Sequence, residues 1–150
     1  MSLFTLYNET NFLNPIAVFR VFSHVLGHQN LAHLMGNMTF ILLLGPMVEE
    51  RYGSGKTFLM ILATAFITGF VNILFFNTGL MGASGVVFML IVLVSFTNVN
   101  KGEIPLTFIL VAILFLGKEI EGSLYKDNVS QFAHIVGGLC GALFGFLDKK

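Results

Sequence analysis

Polar residues able to carry acyl-transfer chemistry lie inside otherwise apolar segments of this chain. Ser84 stands at the head of one segment, within the Gly-Ala-Ser-Gly of residues 82–85, and His134 lies one turn inside the last segment. His33 and Asn37 are four residues apart on a third segment, so both would project from one helix face. A serine and a histidine can act as nucleophile and general base, and paired hydrogen-bond donors can stabilise an oxyanion. These residue types therefore allow a hydrolytic site inside a membrane.

The composition predicts that setting. Of the 150 residues, 55% are hydrophobic, only 11% are charged and 17 are phenylalanine. The mean hydropathy is +0.85. We therefore expect an all-α membrane protein that crosses the bilayer several times as one compact helical bundle. Eight basic residues balance eight acidic ones, which gives no case for a nucleic-acid partner, and a single cysteine, Cys140, excludes an internal disulfide.

Apolar runs bounded by turn residues predict about five membrane-spanning helices, at 31–48, 57–76, 84–98, 104–117 and 130–147. The third and fourth are short. At about 1.5 Å per residue they would extend only ~21–23 Å, against a hydrocarbon core of roughly 30 Å. Ser84 would then open its helix below the membrane surface, where water could reach it only through a cavity lined by protein.

Basic residues in the loops predict the orientation. Five basic residues fall on one side of the five predicted spans: Arg51, Lys56, Lys101, Lys149 and Lys150. Three fall on the other side: Arg20, Lys118 and Lys126. By the positive-inside rule the larger group is cytoplasmic. Residues 1–30 are then an outer loop or amphipathic segment, 31–148 the membrane domain and 149–150 a cytoplasmic tail. Ser84 and His134 would lie near the same outer face.

The proposed nucleophile and base also have structural interpretations. Ser84 could bond a carbonyl one turn back, and nearby glycines such as Gly82 could serve only close helix packing. His134 shares its helix face with small residues: Gly137, Gly141 and Gly145. It could therefore merely hydrogen-bond across a tight helix contact. Ionisable residues inside membranes are costly and usually functional, which favours a catalytic role for His134.

The histidines before and within the first span permit a further interpretation, as metal ligands. His24 and His28 are four residues apart, but no carboxylate follows in the His-Glu-x-x-His manner, and Cys140 is remote in sequence. We therefore expect no metal and no other cofactor. His33 and Asn37 could also form a structural polar bridge rather than an oxyanion site.

The charged run after the first span has a simpler interpretation. Glu49, Glu50 and Arg51 end an apolar segment and precede Gly-Ser-Gly. We expect these three residues to form a solvated helix end and loop with a structural role.

These motifs, in this order, resemble those of the rhomboid intramembrane serine proteases over about residues 19–148. The likeness rests on five motifs: Arg20 with His24; His-Gln-Asn-Leu-Ala-His at 28–33 followed by Asn37; Glu-Glu-Arg at 49–51; Gly-Ala-Ser-Gly at 82–85; and Ala-His-Ile-Val-Gly at 133–137. A Gly-x-Ser-Gly sequence is weak evidence alone, whereas the ordered set is specific. The absence of a final glycine in the Gly-x-Ser-x-Gly manner also argues against an α/β-hydrolase.

The resemblance implies a serine–histidine dyad of Ser84 and His134, with His33, Asn37 and Gly82 at the oxyanion. It also implies supporting roles for six further residues: His28, Glu49, Arg51, Phe88, Gly137 and Gly141. Some members of the family carry a tyrosine at the position of Phe88, and a phenylalanine ring can still pack on the histidine there.

The resemblance further implies the substrate, the setting and the size of the core. The substrate would be a transmembrane helix of another protein, cut near the outer boundary of a bacterial plasma membrane that the enzyme crosses several times. The fourth span and the loop at 118–129 would form the gate and cap, with Phe115, Leu116 and Phe132 at the entrance. The family core has six spans, and this chain begins in what should be the loop after the first. We therefore expect either a truncated version or missing upstream sequence.

The sequence is compatible with three classes of function. An active intramembrane serine protease would use a set of four polar residues: Ser84, His134, His33 and Asn37. A rhomboid-like binder of membrane helices would have no need for an intact set, whereas a truncated inactive form could still carry it. An unrelated transporter would more often show internal repeats or paired intramembrane acids, and the sequence has neither.

Overall fold

The described part of this computed structural model comprises residues 3–7, 12–97, 106, 109–110, 113 and 128–148. It contains five principal helices: α1 (Pro15–Ser23), α2 (Leu31–Tyr52), α3 (Ser54–Phe75), α4 (Ser84–Thr97) and α5 (Asn128–Leu147). A short 3-10 helix, His24–Leu26, follows α1. Within this described part, β structure is limited to one bridge between Leu6 and Leu80. The expected all-α bundle is confirmed, while most of the predicted fourth span, 104–117, lies outside the described residues.

Among the described residues, two helices are long and apolar enough to cross a membrane. Both α2 and α3 have 22 residues, with hydropathies of 1.6 and 2.2, and 22 residues extend about 33 Å. The sequence predicted a loop at 49–56 between them, and that prediction is wrong, because Gly53 alone separates the two helices. Gly53 has φ +82°, a left-handed conformation that glycine adopts without steric cost.

Helix α4 forms the centre of the bundle and contacts α2, α3 and α5. It is apolar on every side, as expected of a helix surrounded by others. Its fully buried side chains include Val87, Met89, Leu90 and Leu93. With 14 residues it extends only about 21 Å, in line with the short third span predicted from the sequence.

The chain direction gives the bundle two distinct ends. Helices α2, α4 and α5 begin, and α3 ends, at what we call the serine end, since Ser84 opens α4 there. At the opposite end, Lys56 near the start of α3 forms a salt bridge of 2.7 Å with Asp148, just beyond α5. This contact joins two segments that the basic-residue count had placed on one side of the membrane.

A small second core closes the serine end. Its buried members are Leu6, Val21, Leu80 and Ala133, with Ile73 and Phe132 packed against them. The Leu6 amide donates to the Leu80 carbonyl at 3.0 Å, and the Leu80 amide donates back at 2.8 Å. The segment at residues 3–7 is thereby fastened to the loop that leads into α4.

Candidate active site

Glycines bring the backbones of α4 and α5 together beside Ser84. A methyl group on Gly137 would lie 2.0 Å from the carbonyl oxygen of Gly85, and one on Gly141 would lie 2.6 Å from that of Met89. Real side chains never approach backbone oxygen so closely, so only glycine permits this helix spacing. The glycine stripe predicted beside His134 is therefore a helix contact with α4.

His134 faces the first turns of α4 across this contact. Its ring stacks on Phe88 with the centroids 4.5 Å apart and the planes inclined by 18°. Ser84 lies four residues before Phe88 and so shares its face of α4. The imidazole is buried, with 7% of His134 exposed, whereas Ser84 is half-buried. The structure thus brings the expected nucleophile and base to facing sides of two contacting helices.

His33 and Asn37 approach the same loop from α2. Asn30 caps this helix by accepting a hydrogen bond of 2.8 Å from the His33 amide, which fixes where the first turn begins. A methyl group on Gly82 would lie 3.0 Å from His33 Nε2 and 3.9 Å from Asn37 Nδ2. Gly82 has φ +126°, so a side chain there would be both strained and obstructed. His33 and Asn37 therefore lie beside the serine loop two residues before Ser84.

The side-chain amide of Asn37 is buried beside the serine loop. Asn37 is 5% exposed. Among the described residues, its buried Nδ2 atom has no hydrogen-bond partner. An unsatisfied buried donor costs stability, and such groups in native structures are commonly functional. Asn37 Nδ2 is therefore a hydrogen-bond donor beside the serine loop that no described residue uses.

His24, in the 3-10 turn, and His28, just after it, contact this arrangement. The ring of His28 meets that of His33 edge-on, with centroids 5.0 Å apart and an interplanar angle of 74°. The carbonyl of His24 accepts the Gly82 amide at 2.9 Å, and its Nε2 donates to the Ala65 carbonyl at 3.0 Å. Burial lowers the pKa of His24, because its charged form would lose hydration; the bond to Ala65 partly opposes this. His24 is thus a structural link between the serine loop and α3.

His24 and His28 belong to no metal-binding cluster within the described part of the chain. Groups of three or more His, Cys, Asp or Glu side chains able to hold an ion do not occur in that part of the chain. Cys140 is buried within α5.

Glu49 and Arg51 lie at the opposite end of the bundle, in the last turn of α2. Glu49 accepts a hydrogen bond of 2.5 Å from the Ser54 hydroxyl, across the break at Gly53, and Arg51 is exposed. Asn37 and Glu49 are separated by twelve residues of helix, about 18 Å. Glu49 and Arg51 can therefore stabilise the connection between α2 and α3, but they lie too far from the serine loop to contact it.

Two contacts at the serine end were missed by sequence reasoning. Asn72 is fully buried in α3, and its Nδ2 donates to the Thr78 carbonyl at 3.1 Å, which fixes the loop before Ser84. Phe76, the residue after α3, packs its ring on Phe132, with centroids 4.3 Å apart. A polar residue inside an apolar span was the available signal for Asn72, whereas no spacing in the sequence indicated the pairing of Phe76. Phe115 and Leu116, expected beside Phe132 at the entrance, lie outside the described residues.

Comparison with known proteins gives a consistent relationship. A family model described as the Rhomboid domain matches residues 16–150. The chain is 27% identical over 136 residues to the rhomboid protease GlpG of Haemophilus influenzae, covering 89% of this chain and 71% of that protein. For the Yersinia pestis and Serratia proteamaculans proteins of the same name, identity is 28% and 29%, over 96% and 90% of this chain. The chain spans about half the length of these last two relatives, 52% and 50%. Since the family model covers most of its length, this membrane protein belongs to the rhomboid family.

Proposed function

We propose that this protein is an intramembrane serine protease that uses Ser84 as nucleophile and His134 as general base. The observation that carries the proposal is the convergence of three helices on the loop at 82–85. Helix α5 brings His134 against the first turns of α4, and α2 brings the unused amide of Asn37 close to Gly82 in the loop. The relatives named rhomboid proteases support the same reaction.

The chemical steps follow from these positions. His134 accepts the proton of the Ser84 hydroxyl as Oγ forms a bond with the peptide carbonyl carbon. Asn37 Nδ2, His33 and the backbone amide of Ser84 hydrogen-bond the resulting oxyanion, since the first amides of a helix have no intrahelical partner. The carbon–nitrogen bond then breaks, and the leaving amine takes the proton from His134. Water attacks the acyl-enzyme in the same way and releases Ser84.

The substrate class follows from the setting of the site. A serine at the start of a short helix in an apolar bundle would meet peptide bonds that belong to membrane helices. A helix uses its amides and carbonyls in internal hydrogen bonds, so the scissile stretch must first unwind. We therefore propose transmembrane helices of other proteins as substrates, with helix-weakening residues at the cleavage site. We further propose that the protein crosses a bacterial plasma membrane several times, and that no metal or nucleic acid takes part.

Labelling with a fluorophosphonate tests the dyad directly, because the reagent reacts with an activated serine and needs no substrate helix. We expect the purified chain to be labelled and Ser84→Ala to remain unlabelled. His134→Ala should react about 10³-fold more slowly than the unsubstituted chain, or not at all. Ser95→Ala is the matched control, because Ser95 lies on the same helix and its hydroxyl donates to the Val92 carbonyl. Equal labelling of the chain and of Ser84→Ala would refute the assignment of the nucleophile.

A cleavage assay separates a protease from a binder of membrane helices. The chain and Ser84→Ala are incubated in detergent with a panel of single-span membrane proteins, and both cleavage and co-purification are measured. A protease cleaves in a manner that depends on Ser84. Co-purification by both forms, with no cleavage by either, would instead establish the non-proteolytic alternative or an inactive form.

A further inference from the structure

An aromatic contact joins the two segments that deliver the proposed dyad. The rings of Phe76 and Phe132 are 4.3 Å apart between centroids and inclined by 31°, within the range of favourable aromatic pairs. Phe76 begins the loop that ends at Ser84, and Phe132 lies two residues before His134. The contact therefore bridges the serine loop and the first described turns of α5.

Phe132 projects from the face of α5 that points away from the dyad. Successive helix residues are about 100° apart, so Phe132 projects roughly 200° around the helix from His134. On the dyad side, His134 stacks on Phe88, and the Ala133 carbonyl is 3.1 Å from where a methyl group on Gly85 would lie. On the other side, Phe132 packs on the small core of the serine end as well as on Phe76. The start of α5 is thus held between two contacts on opposite faces.

We propose that Phe76 and Phe132 form an aromatic clasp that positions His134 against Ser84. This inference rests on the proposed function, because a dyad must exist for its geometry to matter. Neither ring belongs to the dyad or the oxyanion pair, so both are positioning residues. Without the clasp, the start of α5 can rotate or move away from α4, and the imidazole moves with it. A misplacement of about 1 Å in a catalytic group can lower a rate by on the order of 100-fold.

The test compares four variants of the full chain: Phe132→Ala, Phe132→Leu, Phe76→Ala and the double variant Phe76→Ala/Phe132→Ala. Phe132→Leu keeps an apolar side chain in the small core and removes only the ring contact, so it decides the matter if Phe132→Ala fails to fold. Phe66→Ala is the matched control. Its ring belongs to another aromatic stack, 5.7 Å from both Phe22 and Phe70, on the exposed faces of α1 and α3. For each variant we measure Tm, the rate of fluorophosphonate labelling, and kcat and KM on a cleaved membrane protein, well below Tm.

A clasp predicts that the three variants at Phe76 or Phe132 alone lower the labelling rate and kcat by about 10- to 100-fold, with KM unchanged. The double variant should label no more slowly than the slower of Phe76→Ala and Phe132→Ala. Each single variant already removes the contact between the two rings, so the second substitution has no clasp left to break. Phe66→Ala should lower Tm and leave the labelling rate near that of the unsubstituted chain. Unchanged labelling in Phe132→Leu and Phe76→Ala, or a rise in KM at constant kcat, would overturn the clasp. Failure of the unsubstituted chain to label would overturn the proposed function itself, so the two failures differ.

Discussion

At the scale of single residues, Asn37 offers the sharpest test of the proposed oxyanion site. Its buried Nδ2 atom donates to no described residue. Removing it therefore breaks no hydrogen bond donated by that atom within the described part of the chain, and it relieves a desolvated donor. We expect Asn37→Ala to lower kcat by on the order of 10²–10³, about 2.7–4 kcal/mol of transition-state stabilisation, while Tm stays the same or rises. Cleavage kinetics and thermal unfolding of the same preparation check both parts.

The control for Asn37 lies on the same helix. Thr39 is exposed, and its hydroxyl donates to the Met35 carbonyl, so Thr39→Val alters α2 near Asn37 without touching the serine loop. We expect its kcat to match that of the unsubstituted chain. A kcat for Asn37→Ala within about threefold of this control would contradict the oxyanion role, and a large fall in Tm would indicate a structural bridge.

How far the site could be predicted differs from residue to residue. The four-residue spacing placed His33 and Asn37 on one face of α2, because helix geometry is local. Their approach to Gly82 depends on a loop conformation with φ +126° and on the bond from its amide to His24. Those features arise from contacts between distant segments, so no spacing in the sequence could predict them.

At the scale of elements, the glycines of α5 should differ in what they tolerate. A methyl group on Gly137 would overlap backbone oxygen at 2.0 Å and one on Gly141 at 2.6 Å, but one on Gly138 would meet only Val92 Cγ2, at 3.8 Å. We expect Tm and activity to fall most for Gly137→Ala and less for Gly141→Ala. Overpacking typically costs about 1–3 kcal/mol. Gly138→Ala should be neutral or stabilising, since alanine favours a helix by about 1 kcal/mol.

Thermal unfolding and labelling rates of these three alanine variants check the predicted order. The comparison controls for helix propensity, because the same substitution is made three times in one helix within five residues. If Gly138→Ala proved as damaging as Gly137→Ala, the close approach of α4 and α5 would not be what the glycines provide.

Elements were predicted well where local pattern determines them and poorly where contacts between distant segments do. The start of α4 at Ser84 and the stripe of α5 follow from apolar runs and residue spacing. The charged run at 49–51 was expected to form a solvated helix end and loop. Its residues form only the helix end, because charged side chains in the last turn of α2 can remain in water without leaving the helix. The bridge between Leu6 and Leu80 joins residues that are 74 positions apart in the sequence, and no local pattern indicates it.

At the scale of the whole molecule, the two ends of the bundle carry different kinds of polar group. The serine end buries uncharged and histidine side chains: His24, Asn37, Asn72 and His134. The opposite end presents charged ones: Glu49, Glu50, Arg51, Lys56 and Asp148. Buried polar groups serve a site, whereas exposed charges suit an interface with water and anionic lipid. The positive-inside rule then predicts that the serine end faces away from the cytoplasm.

This orientation can be measured with single cysteines. In a Cys140→Ala background, Gln29→Cys puts an exposed thiol at the serine end and Ser54→Cys puts one at the opposite end. With a membrane-impermeant maleimide, intact cells should be labelled at position 29, and position 54 should react only after permeabilisation, because its thiol faces the cytoplasm. Equal labelling of both variants in detergent controls for intrinsic reactivity. The reverse pattern in intact cells would place Ser84 near the cytoplasmic face and so change which ends of substrate helices the enzyme could reach.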